Sequence, residues 1–157
     1  MISVRFLSSV LLILAVACSS GDDGTGPENT HANGSMSARV DGSAWTSTLA
    51  VSAGSSGGII AISGTNGSTT IAMAFGIANG PATFQIGPAG AISNALVMES
   101  NGRSWHALST VGNGTVTLTS ISATGAAGTF DFTAPAVASS GATGSKVVTN
   151  RSFDVKF

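Results

Sequence analysis

Two short stretches near the end of the chain alternate cleanly between apolar and polar residues. In Thr129-Phe130-Asp131-Phe132-Thr133 both phenylalanines fall on one face. In Ser152-Phe153-Asp154-Val155-Lys156-Phe157 three apolar residues oppose Ser, Asp and Lys. A period of two with one polar face predicts half-buried antiparallel strands. Runs rich in β-branched and aromatic residues, bounded by Gly, Asn and Ser, predict further strands. They cover Met36–Asp41, Trp45–Ser52, Gly58–Ser63, Thr69–Gly76, Ala82–Ile86, Ala95–Ser100, Arg103–Leu108, Gly114–Ser120 and Val147–Asn150. From Met36 onward glycine interrupts every candidate helical period.

The turn chemistry agrees with this pattern. Asn66-Gly67 and Asn101-Gly102 join neighbouring strand candidates, and Asn-Gly supplies the positive φ of a tight hairpin turn. Asn79-Gly80 and Asn113-Gly114 carry the same turn signal. About nine to eleven short strands with frequent turns predict an all-β fold, an antiparallel β-sandwich, with a small β-barrel as the alternative.

The front of the chain follows another pattern. After Arg5, Phe6–Ala17 is an apolar run of twelve residues, too short as a helix for a bilayer core of about 30 Å. A charged start, a short apolar region and small residues after it predict a secretory signal over 1–17. An ordinary signal cut after Ala15-Val16-Ala17 would leave Cys18, the single cysteine, as a reactive unpaired thiol in an exported protein. Residues 18–35 are small and polar with no hydrophobic period, and predict a flexible tether. Asp22 and Asp23 lie in it without the further oxygen ligands of a calcium loop. The region 36–157 is then a single all-β domain.

The 157 residues include 21 Gly, no Tyr and only 8% charged residues, with 43% hydrophobic. That balance excludes a disordered chain, which needs low hydrophobicity and high net charge. Six basic residues face seven acidic ones; loss of Arg5 with the signal moves the net charge from −1 to about −2. There is no basic block for phosphate, and no nucleic-acid partner is expected.

Several motifs carry a resemblance. Ala15-Val16-Ala17-Cys18 resembles the lipobox of bacterial lipoproteins, with Ala15 where leucine is usual and Leu14 one position earlier. The resemblance implies a thioether-linked diacylglycerol on Cys18, acyl chains of the palmitate kind, and processing by the export and lipoprotein machinery. Met36-Ser37-Ala38-Arg39-Val40-Asp41-Gly42-Ser43-Ala44-Trp45 is similar to the Val-Asp-Gly-x-x-Trp opening of a family of uncharacterised bacterial lipoprotein domains. Gly114–Thr119, Gly128–Ala134 and Val147–Val155 resemble its later strands, with Arg151 where glycine is usual. The resemblance implies a membrane-anchored envelope lipoprotein, at the outer membrane, and carries no active-site residue; Ser19 after the cysteine agrees with that sorting.

Candidate chemistry is sparse. His31 lies in the tether. Ser104 and His106 share one face of a predicted strand, but a nucleophilic site also needs an orienting acid and an oxyanion hole. Asp131 and Asp154 are the acids available, each on the outward face of a predicted strand, with no Gly-x-Ser-x-Gly elbow to present a serine. Asp41, Glu99, Asp131 and Asp154 are the carboxylates from which a glycosidase pair could be drawn. No metal-ligand spacing occurs, and no cofactor is expected. Trp45 and Trp105 could form a stacking platform for sugar rings or fill the core. Gly54-Ser55-Ser56-Gly57-Gly58 lacks the lysine and helix of a phosphate cradle and predicts turns. The expected function is therefore a non-catalytic structural or binding module. A glycan- or small-ligand-binding sandwich using Trp45, Trp105 or His106 is the alternative, and an unrecognised hydrolase the third.

Overall fold

The computed structural model describes residues 34–88 and 93–157, so the predicted signal, Cys18 and most of the tether lie outside the described residues. Eleven strands follow in order: β1 (Gly34–Val40), β2 (Ser43–Thr46), β3 (Ala50–Ser56), β4 (Ile59–Thr65), β5 (Thr69–Gly76), β6 (Ala82–Ile86), β7 (Asn94–Glu99), β8 (Ser104–Ala107), β9 (Asn113–Ser122), β10 (Gly125–Pro135) and β11 (Ser145–Lys156). They form a six-stranded sheet, β2-β1-β11-β10-β9-β6, and a five-stranded sheet, β3-β4-β5-β7-β8. All pairings are antiparallel. Both sheets stay open, so the architecture is a β-sandwich and the barrel alternative falls away. β1 starts at Gly34, two residues inside the region predicted as tether.

Alternation produces the core. Ile60 and Ile62 on β4, Ile71, Met73 and Phe75 on β5, and Val97 on β7 point inward. They meet Met36, Val116, Leu118, Phe130, Phe132, Val148, Phe153 and Val155 from the six-stranded sheet. Phe75 packs at 5.4 Å from Phe84 and 6.2 Å from Phe153, so one aromatic side chain links the two layers. Such tilted contacts add to the burial of large apolar area.

Gly54-Ser55-Ser56, predicted as turn, ends β3, and only Gly57-Gly58 turns. Three further sequence expectations change. Trp45–Ser52 is not one strand: Ser47 to Leu49 carries the chain from one sheet to the other. Ser47 is 1% exposed; its amide and hydroxyl donate to the Met36 carbonyl at 2.9 and 3.1 Å, and its Oγ accepts from the Met36 amide at 3.2 Å. That satisfies a buried polar group where the strand ends. Second, Val147–Asn150 and Ser152–Phe157 are one strand, β11. Both its neighbours shift register around Asn150, whose φ is 53°. One extra residue there is a β-bulge, and it lets Val148 and Phe153 both face inward. Third, Asn113-Gly114 lies inside β9, and the turn falls before it. A Cβ at Gly114 would collide with the Asp131 carbonyl and Phe132, which explains glycine there.

The Asp41-Gly42 motif is a tight turn between β1 and β2, with φ of 50° and 82°. Positive φ at both central positions suits the twist of a two-residue hairpin. The Asp41 carboxylate reaches β11 and accepts the Val147 amide at 2.9 Å.

Candidate functional site

The outward faces of the two sheets differ in chemistry. Across the six-stranded sheet, register aligns Thr83, Thr117, Thr129, Ser152, Ser37 and Thr46 into one row, a hydroxyl from every strand. Thr83 and Thr117 are 3.2 Å apart, as are Ser37 and Ser152. Asp131 lies beside this row, bound by Arg151 at 2.9 Å and by the Thr115 hydroxyl at 3.0 Å. Burial pulls the Arg151 guanidinium below its usual pKa, and it stays charged at any ordinary pH.

The five-stranded sheet presents small neutral side chains. One row runs Ser52, Ser63, Ala72, Leu96, His106, and the next runs Gly54, Ala61, Ala74, Asn94. Across these rows lies a groove of about 460 Å³, lined by Ser52, Gly54, Ala61, Ser63, Ala72, Ala74, Asn94 and Leu96 among others. The groove exists because β4 and β5 put large residues inward and Ala or Ser outward, as in Ile71-Ala72-Met73-Ala74-Phe75. Among the described residues none that line it is charged. It falls in the size range of small-molecule sites, which are mostly apolar with a few polar groups.

The sequence-predicted residues lie elsewhere. Trp45 and Trp105 are 5% and 3% exposed. Their indole N–H groups donate to the carbonyls of Thr69 at 3.2 Å and Thr143 at 3.1 Å. Neither ring offers a free face, so the aromatic platform reading is corrected: both tryptophans fill the core. His106 is half-buried on β8, at the end of the row that crosses the groove. Ser104 shares its face, but the Ser104 backbone is engaged by the segment beyond β10, through Ser140 Oγ at 3.1 Å and the Val137 amide at 2.9 Å. Asp131 and Asp154 sit on the other sheet, pointing away from the core. The structure brings no acid of that sheet's outer face to His106.

Two other carboxylates do meet. Lys146 binds Asp41 at 3.1 Å and Glu99 at 3.4 Å, and its ammonium lies 4.8 Å from the Trp105 ring centre. Arg103 adds a longer contact to Glu99 at 3.6 Å. Each carboxylate is neutralised where it stands, which is the pattern of an ion-paired corner. Among the described residues no group of three His, Cys, Asp or Glu could hold a metal, and no helix is long and apolar enough to cross a membrane.

The groove was not visible as a motif, because alanine and serine announce no chemistry. The signal that could have found it is the outward half of the alternation in β4 and β5, where the small residues form a continuous strip.

Fold and faces together define an all-β antiparallel sandwich domain with one hydroxyl-rich face and one neutral grooved face. The chain belongs to the family described as a domain of unknown function, DUF6252, whose model matches residues 32–153. No curated protein and no solved structure matches it.

Proposed function

We propose that this protein is a lipid-anchored envelope module that acts by binding and not by catalysis, with Cys18 as the anchor and the groove on the five-stranded sheet as the binding surface. The observation that carries the binding half is the groove itself: about 460 Å³, with Ser52, Ser63 and Asn94 as polar points among Ala and Gly. A charged ligand would lose its hydration there without gaining a counter-charge. The ligand class that fits is a neutral, mainly apolar small molecule with one or two hydrogen-bonding groups. The anchoring half rests on the lipobox resemblance of Ala15-Val16-Ala17-Cys18 and on the oddity of a lone thiol in an exported chain.

Two experiments test the two halves separately. Nile red, a neutral apolar dye, should bind the chain saturably, and Ala72→Phe, which fills the groove, should weaken it about tenfold. Equal binding by both chains overturns the groove. Cys18→Ser should move the protein out of the membrane fraction; unchanged processing and fractionation overturn the anchor.

A further inference from the structure

The two sheets have four edges, and three are guarded. β8 is four residues long and is covered: Trp105 bridges to Ala136, and the Val137 amide donates to the Ser104 carbonyl. β6 has five residues between Pro81 and the Gly87-Pro88 pair. β2 has four. Short length, proline and covering loops are the devices that keep strand edges from pairing with other chains. β3 has none of them. It runs seven residues, AVSAGSS, with no charge and no proline, in unbroken register with β4. Among the described residues nothing pairs with its outer side.

The positions of its free backbone groups follow from its hairpin. Gly57 and Gly58 have φ of 59° and 81° and form a two-residue turn, which closes on a hydrogen-bonded pair, Ser56 with Ile59. Bonded pairs alternate along an antiparallel ladder. Ser56, Gly54 and Ser52 therefore bond β4, while Val51, Ala53 and Ser55 turn their N–H and C=O groups outward. These three positions are symmetric about Ala53. An antiparallel copy rotated about a two-fold axis at Ala53 sets Ala53 against Ala53, and Val51 against Ser55 at both ends. All six outward groups on each strand then find partners.

The geometry points to β3 as a self-pairing edge: two copies of this chain join through antiparallel β3 strands into one continuous ten-stranded sheet. The occupant is a second copy because the free groups are self-complementary in place and because β3 is uncharged. Pairing about a two-fold brings residues near the axis close to their own equivalents, so any charge there would face its like. The side chains that meet on the outer face are Ser52 and Gly54, which leave room. Leu49, 69% exposed, precedes the strand and lies opposite Gly57 of the copy in this register. Among the described residues each chain has one such edge, so the pairing closes at a dimer. A single strand pair buries less than a standard interface, so the dimer forms in proportion to concentration. Ser52 and Gly54 also line the groove, but the pairing rests on the free backbone edge of β3 and not on the groove's ligand or on the anchor.

The test uses the full chain carrying Ser52→Cys and Gly54→Cys, which face one another across the two-fold in a non-hydrogen-bonded pair about 4.5 Å apart at Cα. Mild oxidation should give a disulfide-linked dimer, well above the wild-type chain with its Cys18 and above Thr129→Cys on the other sheet. Adding Ala53→Pro removes an N–H that β4 does not use and should cut the dimer about tenfold. Its thermal unfolding shows whether the domain remains intact. As a second arm that needs no proline, Ser52→Lys with Gly54→Lys should abolish self-association in sedimentation. Mixing that chain with one carrying Ser52→Glu and Gly54→Glu should restore a mixed dimer. A cross-link no stronger than the Thr129→Cys control, a dimer indifferent to Ala53→Pro in a folded chain, or no mixed dimer overturns the proposal.

Discussion

Lys146 Nζ lies 3.1 Å from Asp41 Oδ2, and this pair ties the last strand to the turn between the first two. The same ammonium reaches Glu99 at 3.4 Å at the end of β7, so one cation links both sheets at a corner of the sandwich. Burial pulls the Lys146 pKa down, but the hydrogen bonds and charges of Asp41 and Glu99 outweigh it, and it stands above the usual lysine value. A raised lysine pKa stabilises the fold below the unfolded value, and the stabilisation is lost as pH climbs through the folded one. The side chain is 21% exposed, so the contribution is on the order of 1 kcal/mol. Lys146→Met should lower stability by that amount at neutral pH. The difference from wild type should shrink above about pH 10.5 in urea unfolding.

Asp41 combines two demands. Its φ of 50° is costly for most residues, and its Oδ1 accepts the Val147 amide. Asparagine meets both and loses only the ion pair with Lys146. Asp41→Asn should therefore cost about 1 kcal/mol or less, and Asp41→Ala about 2–3 kcal/mol, read as denaturation midpoints. Equal losses from the two would show that the ion pair, not the turn, dominates.

Much of the fold was legible along the chain because outward and inward residues alternate so regularly. The bounds of β5 and β6 are those predicted from pattern alone, and Phe130, Phe132, Phe153 and Val155 face inward as the alternation requires. What escaped was long-range. Ser47 ends β2 through bonds to Met36, eleven residues away, and no local period records that. The bulge at Asn150 resets the alternation of β11, so one strand resembled two. Asn113-Gly114 carries a turn dipeptide, yet its glycine answers to the Asp131 carbonyl across the ladder. The groove and the corner at Lys146 are products of register between strands, which pairs residues far apart in sequence.

Glycines at two strand positions should respond oppositely to alanine. A Cβ on Gly64 would sit 3.0 Å from Met36 Sδ, 3.0 Å from Ser47 Cβ and 3.1 Å from the Trp45 ring. Gly64→Ala should cost about 1–3 kcal/mol, the usual penalty of overpacking. At Gly54 a Cβ meets nothing within 4 Å. Gly54→Ala should leave stability unchanged or raise it by about 0.5 kcal/mol, since glycine weakens a strand. Chemical denaturation of both variants checks the pair.

Both indoles are buried with their N–H groups bonded. Native tryptophan fluorescence should be blue-shifted and nearly immune to iodide, and unfolding should abolish both properties. Trp45→Phe removes one of three donors to the Thr69 carbonyl, which keeps the Asn66 amide and the Thr65 hydroxyl, so its cost of about 1–3 kcal/mol comes chiefly from the smaller ring in a packed core. Strong iodide quenching of the folded chain would contradict the buried placement.

β1 lies between β2 and β11, and β11 is also the partner of β10. The first strand of the domain must therefore wait for the last one to be synthesised or delivered before its ladder is complete. Such pairing of distant segments slows folding, because a long loop closes before contacts repay it. A chain that emerges from its N-terminus keeps an unfinished centre in the larger sheet until β11 arrives. Loss of the C-terminal segment would then open β1 and β10 together, leaving a truncated product with two raw edges in the middle of a layer. Completion of the sandwich thus acts as a check on the integrity of the domain, and a copy lacking β11 would stand open to proteolysis.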